Sequence, residues 1–246
     1  MKNYNIYGVR TDLASENKNN EQILLYSNVD KSINVYKSDD EKYFYRTIKF
    51  LNLNDSNTLK SFLIKELNFF IKELLAKNKY HAFIIGLGNE FNTADSIGPK
   101  VLKNICVNSH LESLDIPING NKVSALEPGV LGTTGIDTKK IIESVSKEIH
   151  PDFLILVDSY VTENIKYLNK TIQITNEGII PGSGLYFHNE EISKKTMGIP
   201  VIVIGIPTAI EIEIDSKSYI VSTKDIDSYV LEISKIISEA INETLN

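Results

Sequence analysis

Apolar and polar positions change their rhythm twice along the 246-residue chain. Behind a polar head rich in Asn and Lys, runs at residues 22–27, 33–37 and 43–51 have the length and boundaries of strands, with the turn-forming pair Asp39-Asp40 before the last. They predict a small antiparallel lobe. Over residues 57–77, Leu59, Phe62, Leu63, Leu67, Phe70, Ile71 and Leu74 recur at spacings of three and four, which predicts an amphipathic helix. The runs AFIIGL, KVSAL, DFLILVD, TIQIT and PVIVIGI follow, continuous rather than alternating, as in parallel strands buried on both faces. Residues 96–104 and 137–147 read as crossover helices, the second with Ile141, Ile142 and Val145 on one face. A last helix is expected from about Ser222, whose spacing to Asp225 fits a capping box, burying Ile226, Val230, Ile233, Ile237 and Ile241. The expected fold is α/β: a three-layer, mostly parallel central sheet with helices on both faces, plus a small antiparallel N-terminal lobe.

Composition narrows the function. A net charge of −6 argues against a nucleic-acid interface, which needs Lys and Arg to neutralise phosphates. One cysteine, Cys106, allows neither an internal disulfide nor a Cys-based zinc site and agrees with a reducing compartment; it follows an apolar helix and is expected to pack as a small hydrophobe. The start MKNYNIYGVR is too polar for a signal peptide. Residues 199–210, the longest apolar stretch, are interrupted by Gly205 and Pro207 and fall short of the roughly 20 residues a membrane crossing needs. These features predict a cytoplasmic protein.

In an open parallel sheet, ligands bind beyond the carboxyl ends of the strands. Two aspartates occupy such places: Asp158 closes the run FLILVD, and Asp95 lies in the loop GLGNEFNTADSIGP. Asp95 also precedes a helix, so an N-cap is the alternative; a carboxylate ending a buried strand requires partners or a function. Gly86 and Gly88 begin a dinucleotide-like glycine pattern, but Phe91 takes the third glycine's place and no acidic residue ends KVSAL. They fit better a tight turn that lets backbone N–H groups approach a substrate carbonyl or a strand. Pro128, Gly129, Gly132 and Gly135 form a second glycine-rich turn, and Pro181, Gly182, Ser183 and Gly184 a third. Ser183 with His188 lacks the strand-turn-helix setting of a nucleophile elbow. His81, His110, His150 and His188 lack zinc-motif spacing and are expected at surface or capping positions, so no metal site is assigned.

The strings GLGNEFNTADSIGPKVL, VSALEPGVLGTTGIDT, PDFLILVDSYV, TIQITNEGIIPGSG and MGIPVIVIGIPTAIE resemble, in order and spacing, the core blocks of the spore germination proteases, atypical aspartic endopeptidases. The likeness runs from about residue 83 to residue 214. It implies a catalytic pair at Asp95 and Asp158, no cofactor, and a fold related to the hydrogenase maturation proteases. Backbone N–H groups around Gly86, Gly88 and Asn89, or Gly129 and Gly132, with Gly182 and Ser183, become the candidates for holding the substrate carbonyl. At the head, GVRTDLASE resembles the family's propeptide cleavage site, which mimics its substrates and puts the scissile bond at Asp12-Leu13. The implied organisation is a propeptide at 1–12, the small lobe at 13–56 and the α/β catalytic domain at 57–246. The implied substrates are small acid-soluble, DNA-coating spore proteins, met in the forespore or spore core by a homo-oligomer, dimer or tetramer.

Three features depart from the family's pattern. Only DSKSYIV separates the strand ending near Glu213 from the last helix, LYFHNEEIS after Gly184 is acidic where the family tends to be basic, and Glu127 adds an unassigned carboxylate. The alternatives are a catalytically silent relative that binds spore proteins, or a metal-dependent peptidase of the hydrogenase-maturation type.

Overall fold

The computed structural model describes residues 8, 10–16, 22–182, 190–215 and 217–246. Within them the strands are β1 (Ile23–Ser27), β2 (Ile33–Lys37), β3 (Tyr45–Phe50), β4 (His81–Gly86), β5 (Lys122–Leu126), β6 (Phe153–Thr162), β7 (Thr171–Thr175), β8 (Val201–Ile214) and β9 (Lys217–Val221). The helices are α1 (Ser56–Leu74), α2 (Ile97–Leu102), α3 (Leu131–Thr134), α4 (Thr138–Ile149), α5 (Lys194–Met197) and α6 (Ile226–Leu245). All the strands join one sheet in the order β1-β2-β3-β7-β8-β6-β4-β5, with β9 paired to β8.

Two expectations are corrected by this topology. Only the pairings of β5 with β4, β4 with β6 and β6 with β8 are parallel. The other pairings, β1 with β2, β2 with β3, β3 with β7, β7 with β8 and β8 with β9, are antiparallel, so the sheet is mixed rather than mostly parallel. The strands before α1 also form no separate lobe, because β3 runs antiparallel to β7, with Ile48 opposite Ile172, and extends the central sheet. A continuous apolar run reports burial on two faces, and strand direction leaves no mark on it.

Alternate residues of the inner strands feed two cores. Ile84, Ile155, Val157, Ile202 and Ile204 face α1 and α6, where Leu59, Leu63, Leu67 and Phe70 meet Val230, Ile233, Ile237 and Ile241. Phe83, Ile85, Leu154, Leu156, Val201 and Val203 face the other way, toward Ile142 and Val145 of α4. Each such fully buried side chain contributes roughly 1.5–3 kcal/mol relative to exposure. Asp55 and Asp137 start α1 and α4 by accepting from Thr58 N at 3.3 Å and Lys140 N at 3.2 Å. The capping box expected at Ser222 is not formed: α6 begins at Ile226, and the Ser222 hydroxyl donates instead to the Thr208 carbonyl.

Other positions also differ from expectation. Cys106 is exposed rather than packed. His81 is buried, its ring between the Ile149 carbonyl at 3.1 Å and Ser124 Oγ at 2.8 Å, and burial lowers its pKa. Within DSKSYIV, residues 217–221 form β9, antiparallel to the end of β8. No helix among the described residues is long and apolar enough to cross a membrane.

Two glycines set the spacing between β4 and α2. A Cβ on Gly86 would lie 2.4 Å from the Gly98 carbonyl oxygen, and one on Gly98 would lie 2.2 Å from the Leu87 carbonyl oxygen, so backbone touches backbone. Gly98→Ala should therefore destabilise the fold by about 1–3 kcal/mol through overpacking against groups that cannot yield. At Gly132, in α3, an added Cβ meets nothing within 4 Å. Gly132→Ala should leave stability unchanged or raise it by about 0.5–1 kcal/mol. Urea unfolding of the two variants beside the parent checks both values.

Candidate active site

The site forms where β4 ends and β6 continues. Gly86 is the last β4 residue paired with β6, opposite Val157, and Leu87 N–H donates to the Val157 carbonyl at 2.9 Å. The chain then turns out through residues 88–96 and is pulled back. Asn89 N–H donates to the Asp95 carbonyl at 2.9 Å, Asp95 N–H to the Asn92 carbonyl at 2.8 Å, and Thr208 Oγ1 of β8 to the Ala94 carbonyl at 2.5 Å. Gly88 has φ +110, and a Cβ there would stand 2.1 Å from the Asp95 carbonyl oxygen. A cavity of about 330 Å³ results, whose walls include Asp95, Asp158, Asp12, Tyr160, Thr208 and Ile220.

Burial dominates the electrostatics. It pushes the Asp95 carboxyl from its ordinary value up to about 6, opposed by the hydrogen bond from Asn89 N–H to Oδ2 at 3.1 Å. Asp158 is raised well above the usual carboxylate range, first by burial and then by the Asp95 charge, with Asp12 adding to it; the Ser159 N–H at 2.9 Å opposes the rise. Two carboxyls that repel each other's charge in a desolvated wall hold a proton to higher pH than either would in water. Such an arrangement can take a proton from one group while giving one from the other.

The structure thus brings Asp95, Asp158, Asp12 and Gly182 to one cavity. Asp95 is no N-cap: it ends the 3-10 turn Thr93–Asp95, and Ser96 takes the capping position of α2. Asp158 does not close its strand, since β6 runs on to Thr162. Gly86, Gly88, Asn89, Gly129 and Gly132 lie outside the cavity lining. Gly86 serves the α2 contact, and the Asn89 N–H is engaged by Asp95 rather than offered to a substrate. Gly129 has φ +71, a turn role. Ser183 and His188 lie outside the described residues. Glu127 is exposed and stands apart from the lining, its pKa raised by burial and Glu90. Among the described residues no group of three or more His, Cys, Asp or Glu side chains is placed to hold a metal ion.

Sequence reasoning missed Tyr160, Thr208 and Ile220. Tyr160 follows Asp158 by two and shares its face of β6, a signal that period-two reading could have used. Its ring lies over Gly205, where a Cβ would come within 2.1 Å of it, and Gly205 pairs with Asp158 across β8. Ile220 reaches the cavity only because β9 folds back on β8, which local pattern does not report.

The head occupies the edge of β6 that β4 leaves free. Asp12 N–H donates to the Val161 carbonyl at 2.9 Å and Val161 N–H to Asp12 Oδ2 at 2.9 Å, while Gly8 N–H donates to the Glu163 carbonyl at 2.6 Å. Arg10 pairs with Glu211 of β8 at 3.1 Å and with Asp12 at 3.9 Å. Leu13 is fully buried in the α4-side core, and Ala14 N–H donates to Gln173 Oε1 at 2.7 Å.

The fold is thus an α/β body on a mixed sheet, with two desolvated carboxyls in one cavity beside a strand edge that the head occupies. The family model described as germination protease matches residues 9–221, and the chain belongs to that family. A germination protease of Priestia megaterium is 35% identical over 237 residues, covering 83% of this chain and 64% of the relative. One of Bacillus cereus is 34% identical over 234 residues, with the same shares of 83% and 64%. One of a Geobacillus species is 38% identical over 175 residues, covering 68% of this chain and 47% of the relative. The chain thus spans less than two thirds of the length of these curated relatives.

The raised carboxyls carry a cost with a definite sign. Each binds its proton more tightly in the fold than in the unfolded chain, so stability falls as pH rises above about 4. For Asp95 the loss ends near its folded value of about 6, and the raised Asp158 adds a loss of the same sign. Calorimetry of the parent and of Asp158→Asn should show the parent losing more thermal stability between pH 4 and 7, with the variant the more stable at pH 7.

Proposed function

We propose that this chain is an endopeptidase that opens small acid-soluble spore proteins, made with a head that its own site removes at Asp12-Leu13. The observation that carries the reading is the head's position: Asp12 lines the same cavity as Asp95 and Asp158, gripped at both its N–H and its carboxylate by Val161. Strand-edge capture of a peptide is the usual way to present a backbone for cutting or blocking. Residues 1–12 then act as propeptide, and the remainder as catalytic body in a homo-oligomer working in the spore core.

Asp95 and Asp158 share one proton. Burial raises both carboxyls, and we place the shared proton on Asp158, whose rise the Asp95 charge adds to, with Asp95 as the base. Ionised Asp95 takes a proton from water as the oxygen bonds to the Asp12 carbonyl carbon. The tetrahedral intermediate collapses by breaking the C–N bond, and the proton from Asp158 goes to the departing Leu13 amine. Two products form, and the proton taken from water returns the pair to its starting state.

Mass spectrometry of the purified full chain over time should show loss of residues 1–12, and Asp95→Asn and Asp158→Asn should each lower the rate by at least about 100-fold while leaving the fold intact. A peptide containing TDLASE should be cut between Asp and Leu by the parent alone. Cutting by the double Asn variant would overturn the reading, and tight binding of the peptide without cutting by the parent would favour a silent binder.

A further inference from the structure

Beside the acid pair, the head makes an ion pair that no hydrolytic step uses. Arg10 Nε lies 3.1 Å from Glu211 Oε2, and a terminal nitrogen of the same guanidinium lies 3.9 Å from Asp12 Oδ1. Glu211 stands on β8, one residue past the last one paired with β6, and is buried at 8% exposure. Its other oxygen, Oε1, accepts from the Ser218 hydroxyl of β9, so β9 fixes this carboxylate with Oε2 turned to the head. The backbone on either side of Arg10 is anchored as well, by Asp12 N–H on the Val161 carbonyl at 2.9 Å and Gly8 N–H on the Glu163 carbonyl at 2.6 Å. Arg10 is therefore held between two fixed amides on the β6 edge while its side chain reaches to β8.

Burial decides what this carboxylate selects. A charge withdrawn from water needs an opposite charge in good geometry, and taking away one partner of such a pair leaves the other uncompensated. Among the described residues lining the cavity, Arg10 is the one cation, in company with Asp12, Asp95 and Asp158. Cutting at Asp12-Leu13 carries Arg10 away with the head, whereas Glu211 and Ser218 stay on the body. A guanidinium suits this place better than an ammonium: its planar fork reaches both Glu211 and the acid next to the cut bond, where an ammonium is a single point charge.

Resting on the cleavage reading above, we infer that Glu211, oriented by Ser218, is a specificity-determining residue for a basic side chain at the third position before the cut bond, a place that Arg10 fills until the head leaves. Glu211 contacts the substrate there and takes no part in proton transfer. The substrate class is a peptide with a guanidinium at the third position before the bond and a carboxylate at the first.

Two arms test the assignment. In the first, kcat/KM of the self-processed chain is measured on the peptide GVRTDLASE and on its GVQTDLASE counterpart. The Gln peptide should fall by about 10-fold or more, as expected for losing a charge-assisted contact to a buried group. Glu211→Gln should remove the preference for Arg over Gln. Equal rates on the two peptides with the parent, a comparison that needs no variant, or a preference that survives Glu211→Gln would overturn the assignment. In the second arm, hydrogen exchange at the Gly8 and Asp12 amides is followed in full-length Asp158→Asn protein, alone and with Arg10→Gln, Glu211→Gln or both. Each single change should speed exchange by about 10-fold, and the two together no further than either, because they break one pair. Unchanged exchange, or effects that add, would show that the two side chains do not act on each other and would sink the proposal. Should neither peptide be cut by the parent, the endopeptidase reading fails, while the exchange arm still decides whether Glu211 holds a cation.

Discussion

The architecture turns on a mismatch in strand length. β4 stops at Gly86 while its parallel neighbour β6 runs on to Thr162, so several residues of β6 have a partner on the β8 side and an open edge on the other. The stop is enforced by contact: Gly86 and Gly98 let α2 press onto the end of β4, and a side chain at either would push the helix away. The loop between them must then cross in front of β6, and this crossing puts Asp95 beside Asp158. Both the acid pair and the strand edge that the head occupies come from that one early exit.

Desolvation gives the pair its chemistry and makes it a liability. A carboxyl in this wall is held protonated toward neutral pH because water is excluded and a second carboxyl stands near. Asp12 intensifies the effect, since its charge also raises Asp158. The head therefore lines the cavity, and the Asp12 charge bears on the protonation of Asp158. Surrounding rigidity offsets the strain of this placement, with Thr208 tying the Asp95 loop to β8 and Tyr160 clamped over Gly205.

The mixed sheet gives the other half of the cleft. β7 runs against β8, and its Gln173 reaches the head, while the β8–β9 hairpin carries Ile220 to the cavity wall. In this chain the short connection after β8 is enough to build that hairpin. The family match over residues 9–221 thus spans a body in which the parallel strands position the two acids and an antiparallel strand meets the head.

Much of this was readable from local pattern. Helical spacing located α1, α4 and α6, continuous apolar runs located β4, β6 and β8, and position after those runs singled out Asp95 and Asp158. Local pattern works for these because burial and periodicity are written into each segment separately. Strand direction, the joining of β3 to β7, the extension of β6 past Asp158 and the return of β9 depend on hydrogen bonds between distant segments, which no single segment encodes. The same reason explains the turn after β4: sequence marked Gly86, Gly88 and Asn89 as special, but only packing shows Gly86 against α2 and Gly88 and Asn89 against Asp95. Sequence alone thus determined which acidic residues follow the buried runs, and the tertiary structure decided which edge they share, because proximity across the sheet is a property of the assembled backbone.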